Sequence, residues 1–422
     1  MKRVLLLATT TGYQTRMFEE AAQRMGVELV YATDRCDQLD DPWRDGAIAV
    51  RFHEEWRSVD TLLKALEKTP VDGAIAVGDR PTVLGAQVAQ LLGLRWHPPD
   101  AAAVARDKRR MRERLRAAGL AVPSFFAVPV TADPARLVSR VEWPAVIKPT
   151  VLSGSRGVIR VDDELSFLTA YARLSHLLDS PEVRELRDPE ADVIQIERYI
   201  DGVEFAIEAV MDHGRFQVLA IFDKPDPLEG PFFEETTYVT PSRASGATLD
   251  AITRAVTAAA TAIGLHHGSV HAECRVAADG VYVLEVAARP IGGLCAKALR
   301  FVNRAGDRCG LEELLLRQAL GEPVDGWSRE AGASAVMMIP IPRGGIYRRV
   351  AGIEEARAVA DVDDVLVTAK PDQRLVPLPE GASYLGFIFA RASTPEAAEA
   401  AVKSAHAKLR FTIDPLIELA AT

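Results

Sequence analysis

The sequence predicts an α/β chain of several domains led by a mostly parallel sheet, and three observations carry that expectation. Over the first hundred residues short apolar runs alternate with helix-length patterns, the rhythm of βαβ units. The chain has 422 residues, more than one hydrophobic core organises, because interiors split into units of roughly 100 to 200 residues. Beyond the Pro98-Pro99 pair the texture changes to hairpin signals and proline-rich loops, an α+β multidomain pattern.

Residues 4–8 read as a first buried strand, 15–25 as a helix and 29–32 as a second strand; 48–50, 62–66, 73–77 and 82–92 continue the alternation. Met1-Lys2-Arg3 precedes an apolar run of only five residues, which suits a strand ending in the Thr9-Thr10-Thr11-Gly12 loop better than a secretion signal. A basic helical segment follows at 104–118, whose cluster between Arg106 and Arg116 suits a solvated helix face. Strands are expected at 128–129, 145–148, 157–161, 193–197, 204–211 and 216–222, with a helix at 165–178 and a surface excursion at 179–192. Residues 223–246 hold four prolines and two glycines and are expected to form a long irregular loop. A helix at 248–263 leads into strands 271–276 and 281–286, joined by a turn at Asp279-Gly280. Further strands are expected at 335–340, 365–370 and 386–392, and a helix at 393–409.

Composition excludes several classes. A net charge of -9 argues against nucleic acid as partner, and no apolar stretch reaches the roughly 18 residues of a bilayer helix. Cys36, Cys274, Cys295 and Cys309 lie far apart, which suits neither a zinc site nor a disulfide framework and fits a cytoplasmic protein.

Lys148 ends an apolar strand immediately before Ser153-Gly154-Ser155-Arg156-Gly157. Glycines between two strands let backbone amides approach anionic oxygens, and the lysine adds a positive charge. A structural hairpin with a solvated lysine reads equally well from these residues alone. Glu197, near the end of the next apolar strand, could meet a flat base, and Glu204 could accept from ribose hydroxyls; both also suit solvated strand ends. Glu273 and Glu285 are nearly equidistant from the hairpin turn, so they should face each other on one side of the sheet. Two like charges brought together call for a cation, and magnesium takes oxygen ligands, with manganese as the alternative. Arg289 follows four residues later and could stabilise a migrating phosphoryl group; a plain salt bridge of the glutamates to Arg275 or Arg289 is the competing reading.

Taken in order, these motifs resemble the ATP-grasp superfamily, and within it the carboxylate–amine ligases related to bacterial L-amino-acid ligases and carnosine synthase. The resemblance spans essentially the whole chain. It implies an ATP-grasp fold with an N-terminal parallel-sheet domain (1–98), a helical linker (99–124), a lid subdomain (125–200), a metal and substrate subdomain (201–325) and a C-terminal α/β subdomain (326–422). It further implies that Lys108 and Lys148 bind ATP, that Ser153, Gly154, Ser155 and Gly157 cover its phosphates, and that Glu197 with Ile200 contacts adenine and Glu204 ribose. Glu273 and Glu285 match the metal-bridging pair. Arg289 lies beside the transferred phosphate, and His271, Glu235, Gly292 and Gly293 border an acceptor pocket for small carboxylate and amine substrates, amino acids being expected. One departure stands out: Ala287 occupies a place where many members carry an asparagine metal ligand.

The reaction so implied is amide or peptide bond formation through an acylphosphate, with release of ADP and phosphate. A carboxylase-like or purine-pathway ligase and a catalytically inactive nucleotide-binding protein are the alternatives. A homodimer is a candidate assembly.

Overall fold

The computed structural model describes residues 1–9, 13–35 and 46–416. Cys36 and most of the Thr9 to Gly12 loop lie outside the described residues. The chain divides into two compact units, each assembled from discontinuous segments.

The first unit comprises residues 1–122, 205–221 and 245–330. Its leading element is a four-stranded parallel sheet in the order Ile48–Val50, Glu28–Asp34, Arg3–Ala8, Gly73–Val77. The central strand is a continuous apolar run, Val4 to Leu7 being fully buried, as expected where helices cover both faces. Residues 62–66 fall inside the helix Glu55–Lys68, which buries Leu62 and Leu66. Gly93, at φ +67°, ends the helix Pro81–Leu92 in the left-handed conformation that a side chain disfavours.

The basic segment is two helices rather than one. Asp107 adopts an extended backbone that ends Pro99–Arg106, and its carboxylate accepts from the amides of Arg109 and Arg110 to start Lys108–Ala117. Nor is its basic run merely a solvated face, because Arg112 is fully buried and donates to the Val283 carbonyl at 2.9 Å. This unit also holds an antiparallel hairpin, Gly268–Ala277 with Gly280–Ala287, extended by strands from the 205–221 segment, and a three-stranded sheet and a helix, Leu311–Ala319, between 300 and 329. The helix Gly246–Ile263 lies on the hairpin. Ser245 caps its start, Gly264 at φ +92° ends it, and Ile252, Val256, Ala259 and Ile263 form its buried stripe.

The second unit comprises residues 123–204, 222–244 and 331–422. One antiparallel sheet runs Phe125–Pro129, Val193–Arg198, Ala145–Pro149, Ile159–Val161. The helix Glu164–Leu178 covers it. Asp163 and Ser166 make a reciprocal capping box, and Phe167, Tyr171, Leu174 and Leu178 bury at helical spacing. Each such large side chain contributes about 1.5–3 kcal/mol through burial. A further run of paired strands in this unit is ordered Thr237–Thr240, Ala333–Ile339, Gly386–Ala392, Val362–Val367, backed by the helix Pro395–His406. The expectation of a wholly irregular loop at 223–246 is therefore corrected. Thr237–Thr240 is a buried strand because its backbone finds a ladder in Ala333–Ile339, nearly a hundred residues away in sequence.

Among the described residues no helix is long and apolar enough to cross a membrane. Cys274, Cys295 and Cys309 are buried thiols, and burial pushes the Cys309 thiol up to about 12.

His97 ties the first unit together. Its Nδ1 accepts from the His266 amide at 3.1 Å, and its Nε2 donates to the Ser269 carbonyl at 3.0 Å, so the buried ring is neutral. Burial holds its pKa down at about 4, against 6.5 for an ordinary imidazole. Below pH 6.5 the unfolded chain takes up a proton that the folded ring refuses until about pH 4. Stability from this group is thus present above pH 6.5 and falls as the pH drops toward 4, by on the order of 3 kcal/mol at about 1.4 kcal/mol per pH unit. A His97→Gln variant should lose the part of its acid sensitivity that lies in this window. Urea unfolding of both proteins at pH 7, 5.5 and 4.5 checks it; parallel pH profiles would remove His97 from the role.

Candidate functional site

In the first unit the hairpin holds Glu273 directly opposite Glu285, and a β-bulge achieves it. The tight turn is Ala278-Asp279, closed by the Ala277–Gly280 pair, one residue earlier than the Asp279-Gly280 turn expected from sequence. Gly280 instead opens the second strand at φ +149°. From that register Glu273 would meet Leu284. The ladder shifts between Glu273 and Cys274, Leu284 is left as the extra residue, and Glu285 moves into line with Glu273. Cys274, the next residue on the strand, is fully buried, whereas Glu273 and Glu285 keep some exposure.

Cations and acids alternate around this pair. Lys108 Nζ, at the start of its helix, lies 3.6 Å from Glu285. His271 Nε2 lies 3.7 Å from Glu273, and its Nδ1 is 3.1 Å from Glu208. Glu208 is fully buried and also accepts from the Ile291 amide at 3.1 Å, which fixes the Pro290 to Gly293 turn carrying Gly292 and Gly293. Arg289 forks onto Asp79, with its Nε at 2.9 Å and Nη2 at 3.2 Å from the two carboxylate oxygens.

Burial alone would lower the His271 pKa, but hydrogen bonds to Glu208 and Glu273 outweigh it and hold the imidazole up at about 9. Burial would likewise raise the Asp79 carboxyl, and the Arg289 guanidinium brings it below its ordinary range. Glu208 is pushed up by burial, opposed by His271.

In the second unit Lys148 is buried and its Nζ is hydrogen-bonded to Glu197, whose other oxygen accepts from Gln195 Nε2 at 2.9 Å. Lys148 is therefore no solvated hairpin residue, and the Glu197 carboxylate is turned onto it. Ile200 is buried just beyond the same strand. Ser153 to Gly157 form a turn in which Gly154, Ser155 and Gly157 all have positive φ. A Cβ on Gly157 would lie 2.9 Å from Leu174 and 3.1 Å from Leu177, so the backbone packs where no side chain fits. The Gly157 amide donates to the Pro379 carbonyl and Arg156 to the Glu380 carbonyl, anchoring the turn within its unit. Glu204 and Glu235 meet on one cation: Lys224 Nζ is 2.7 Å from each, and Tyr238 donates to Glu235 at 2.6 Å.

The structure thus gathers Lys108, His271, Glu273, Glu285 and Arg289 in one unit, and Lys148, Glu197, Glu204, Glu235 and the glycine turn in the other. Sequence reasoning missed Asp79, Glu208 and Tyr238 and gave Lys224 only a place in a loop. Two of them carried a signal. Asp79 follows a buried parallel strand at its carboxyl end, where ligands gather in open α/β sheets, and Glu208 interrupts the apolar run Ala206-Ile207-Glu208-Ala209-Val210.

Residues 141–298 match the ATP-grasp domain family, and residues 337–414 match the L-amino acid ligase C-terminal domain 2. The crystal structure of an L-amino acid ligase from Bacillus licheniformis superposes with a TM-score of 0.82 at 26% identity, covering 98% of this chain and 99% of that one. The alanine–anticapsin ligase of Bacillus subtilis is 27% identical over 52% of this chain and 48% of its own length, so the chain spans about half of that relative. N5-carboxyaminoimidazole ribonucleotide synthetase of Thermotoga maritima, at 16% identity and a TM-score of 0.69 over 98% of this chain and all of the other, shares the fold. The fold and the matched domains define an ATP-grasp protein. Within that superfamily the chain is similar to the L-amino acid ligases, whose C-terminal domain it matches at 337–414.

Lys224 supplies a local test of the charge arrangement. Replacing it by Met leaves the buried Glu204 and the partly buried Glu235 without this cation, at a cost of about 3 kcal/mol. Urea unfolding should show that loss for Lys224→Met and partial recovery in Lys224→Met with Glu235→Gln; a loss below about 1 kcal/mol would contradict the bridging role.

Proposed function

We propose that this chain is an ATP-dependent ligase that joins the carboxylate of an amino acid to an amine and releases ADP and phosphate. The observation that carries this reading is the Glu273–Glu285 pair, flanked by Lys108 and His271 and followed by Arg289. Two partly exposed carboxylates on facing strand positions fit a magnesium ion by donor chemistry, with manganese as the alternative. Glu273 and Glu285 would hold that ion, and Ala287 offers no further oxygen from its side chain. When bound, the ion offsets negative charge on the phosphates.

The remaining roles belong to the chain's own residues. Lys148, oriented by Glu197, neutralises phosphate charge, and the Ser153, Gly154, Ser155 and Gly157 turn supplies backbone amides. The backbone from Glu197 to Ile200 meets the adenine edge, while Glu204 accepts from ribose. Lys108 offsets charge beside Glu285.

A free carboxylate resists attack because it is anionic and has no leaving group. Its oxygen therefore attacks the γ-phosphorus, the bond from phosphorus to the ADP oxygen breaks, and an acylphosphate forms. Arg289, held in place by Asp79, offsets charge as the phosphoryl group moves. The amine nitrogen then attacks the acyl carbon, the bond to the phosphate oxygen breaks, and phosphate leaves with the electron pair while the nitrogen gives up a proton.

Purified protein with ATP, magnesium and amino-acid pools should give amine-dependent ADP and phosphate together with a condensed product by mass. AMP and pyrophosphate would exclude the acylphosphate route, and binding without turnover would favour a regulatory protein. Glu285→Gln should lower kcat at least about 100-fold, in line with removal of a group that stabilises transition-state charge. Unchanged turnover in that variant would dismiss the carboxylate pair.

A further inference from the structure

We propose that Asp212, His213 and His267, at one end of the first unit, form a binding site for a divalent transition-metal ion of the zinc type. Asp212 and His213 sit at the hairpin turn that leads into Arg215–Asp223, and His267 lies between the end of the Gly246–Ile263 helix and the Gly268–Ala277 strand. The two loops are fastened together by the Gly214 amide, which donates to the His266 carbonyl at 2.8 Å. Their donor atoms, one from each residue, lie within 4.8 Å of one another.

The state of His267 points to a cation. Its Nε2 faces the Gln318 carbonyl at 3.3 Å, an atom that can only accept, so Nε2 carries the ring hydrogen. Nδ1 is then a bare lone pair. It is buried, makes no hydrogen bond, and lies 3.3 Å from Asp212 Oδ1, itself an acceptor. Two acceptors in contact repel unless a proton or a metal ion joins them, and the Nδ1 geometry makes no hydrogen bond to Asp212. His213 Nε2, 3.9 Å from the same carboxylate oxygen, adds a third donor. Donation of the second ring nitrogen to a backbone carbonyl is also how metal-binding histidines are ordinarily oriented.

The donor set selects the ion. Two imidazole nitrogens and one carboxylate suit zinc, whereas magnesium prefers oxygen throughout. Tetrahedral ligands at about 2.0–2.1 Å from zinc are roughly 3.3 Å apart. The Asp212–His267 pair already has that separation, and the exposed His213 ring packs beside the His267 ring with centroids 4.9 Å apart. The His213 backbone, at φ +48°, holds the left-handed conformation that non-glycine residues seldom adopt. Exposure on the His213 side leaves the fourth position to water.

Equilibrium dialysis of the chelator-stripped full-length chain against zinc, with millimolar magnesium present to occupy oxygen-rich sites, tests this. One zinc per chain that magnesium does not displace is expected. His213→Ala, at the exposed turn, and the isosteric Asp212→Asn should each weaken it at least tenfold with unchanged thermal unfolding in chelator. His267→Gln should abolish it. Absence of a magnesium-resistant zinc, or wild-type affinity in both surface variants, would overturn the site. This test is independent of ligase turnover.

Discussion

Two carboxylates held on facing strand positions repel each other, and much of the first unit is arranged around that repulsion. Lys108 and His271 flank the Glu273–Glu285 pair, and behind them Glu208 balances His271 while Asp79 balances Arg289. His271 and Arg289 each have an opposite charge in contact, the condition under which burial is tolerated. The bulge at Leu284 makes the arrangement necessary. In the register set by the turn the two glutamates would be offset, and the repulsion would be weaker.

The second unit applies the same rule to its lysines. Lys148 is held by Glu197, and Lys224 by Glu204 and Glu235. Buried ion pairs of this kind add little net stability, because desolvation offsets most of the attraction. What they supply is position: a long, flexible side chain is restricted to one direction before any ligand arrives. Glu208 does the same for the Pro290 to Gly293 turn by accepting from the Ile291 amide.

The two carboxylate-containing clusters of the first unit differ in donor chemistry and hence in the ion each suits. Glu273 and Glu285 offer oxygen beside cationic neighbours, which suits an ion shared with phosphate. Asp212, His213 and His267 offer both nitrogen and oxygen, which suits a borderline ion held by the protein.

The sequence by itself determined the parallel opening sheet, most helices, the lysine strand with its glycine turn, and the near alignment of Glu273 with Glu285. These depend on local periodicity, turn chemistry and hairpin arithmetic, which a single segment carries. Only the tertiary structure decided the partners: Asp79 for Arg289, Glu208 for His271, Glu197 for Lys148, and Ala333–Ile339 for the short strand Thr237–Thr240. Those contacts join residues about 50 to 200 positions apart, and no local pattern states which distant charge or strand edge will be adjacent. The bulge lies between the two cases. Its hairpin was legible, but the one-residue shift that sets Glu285 against Glu273 is settled by how the strand packs, because its cost and gain depend on what lies on each face of the sheet.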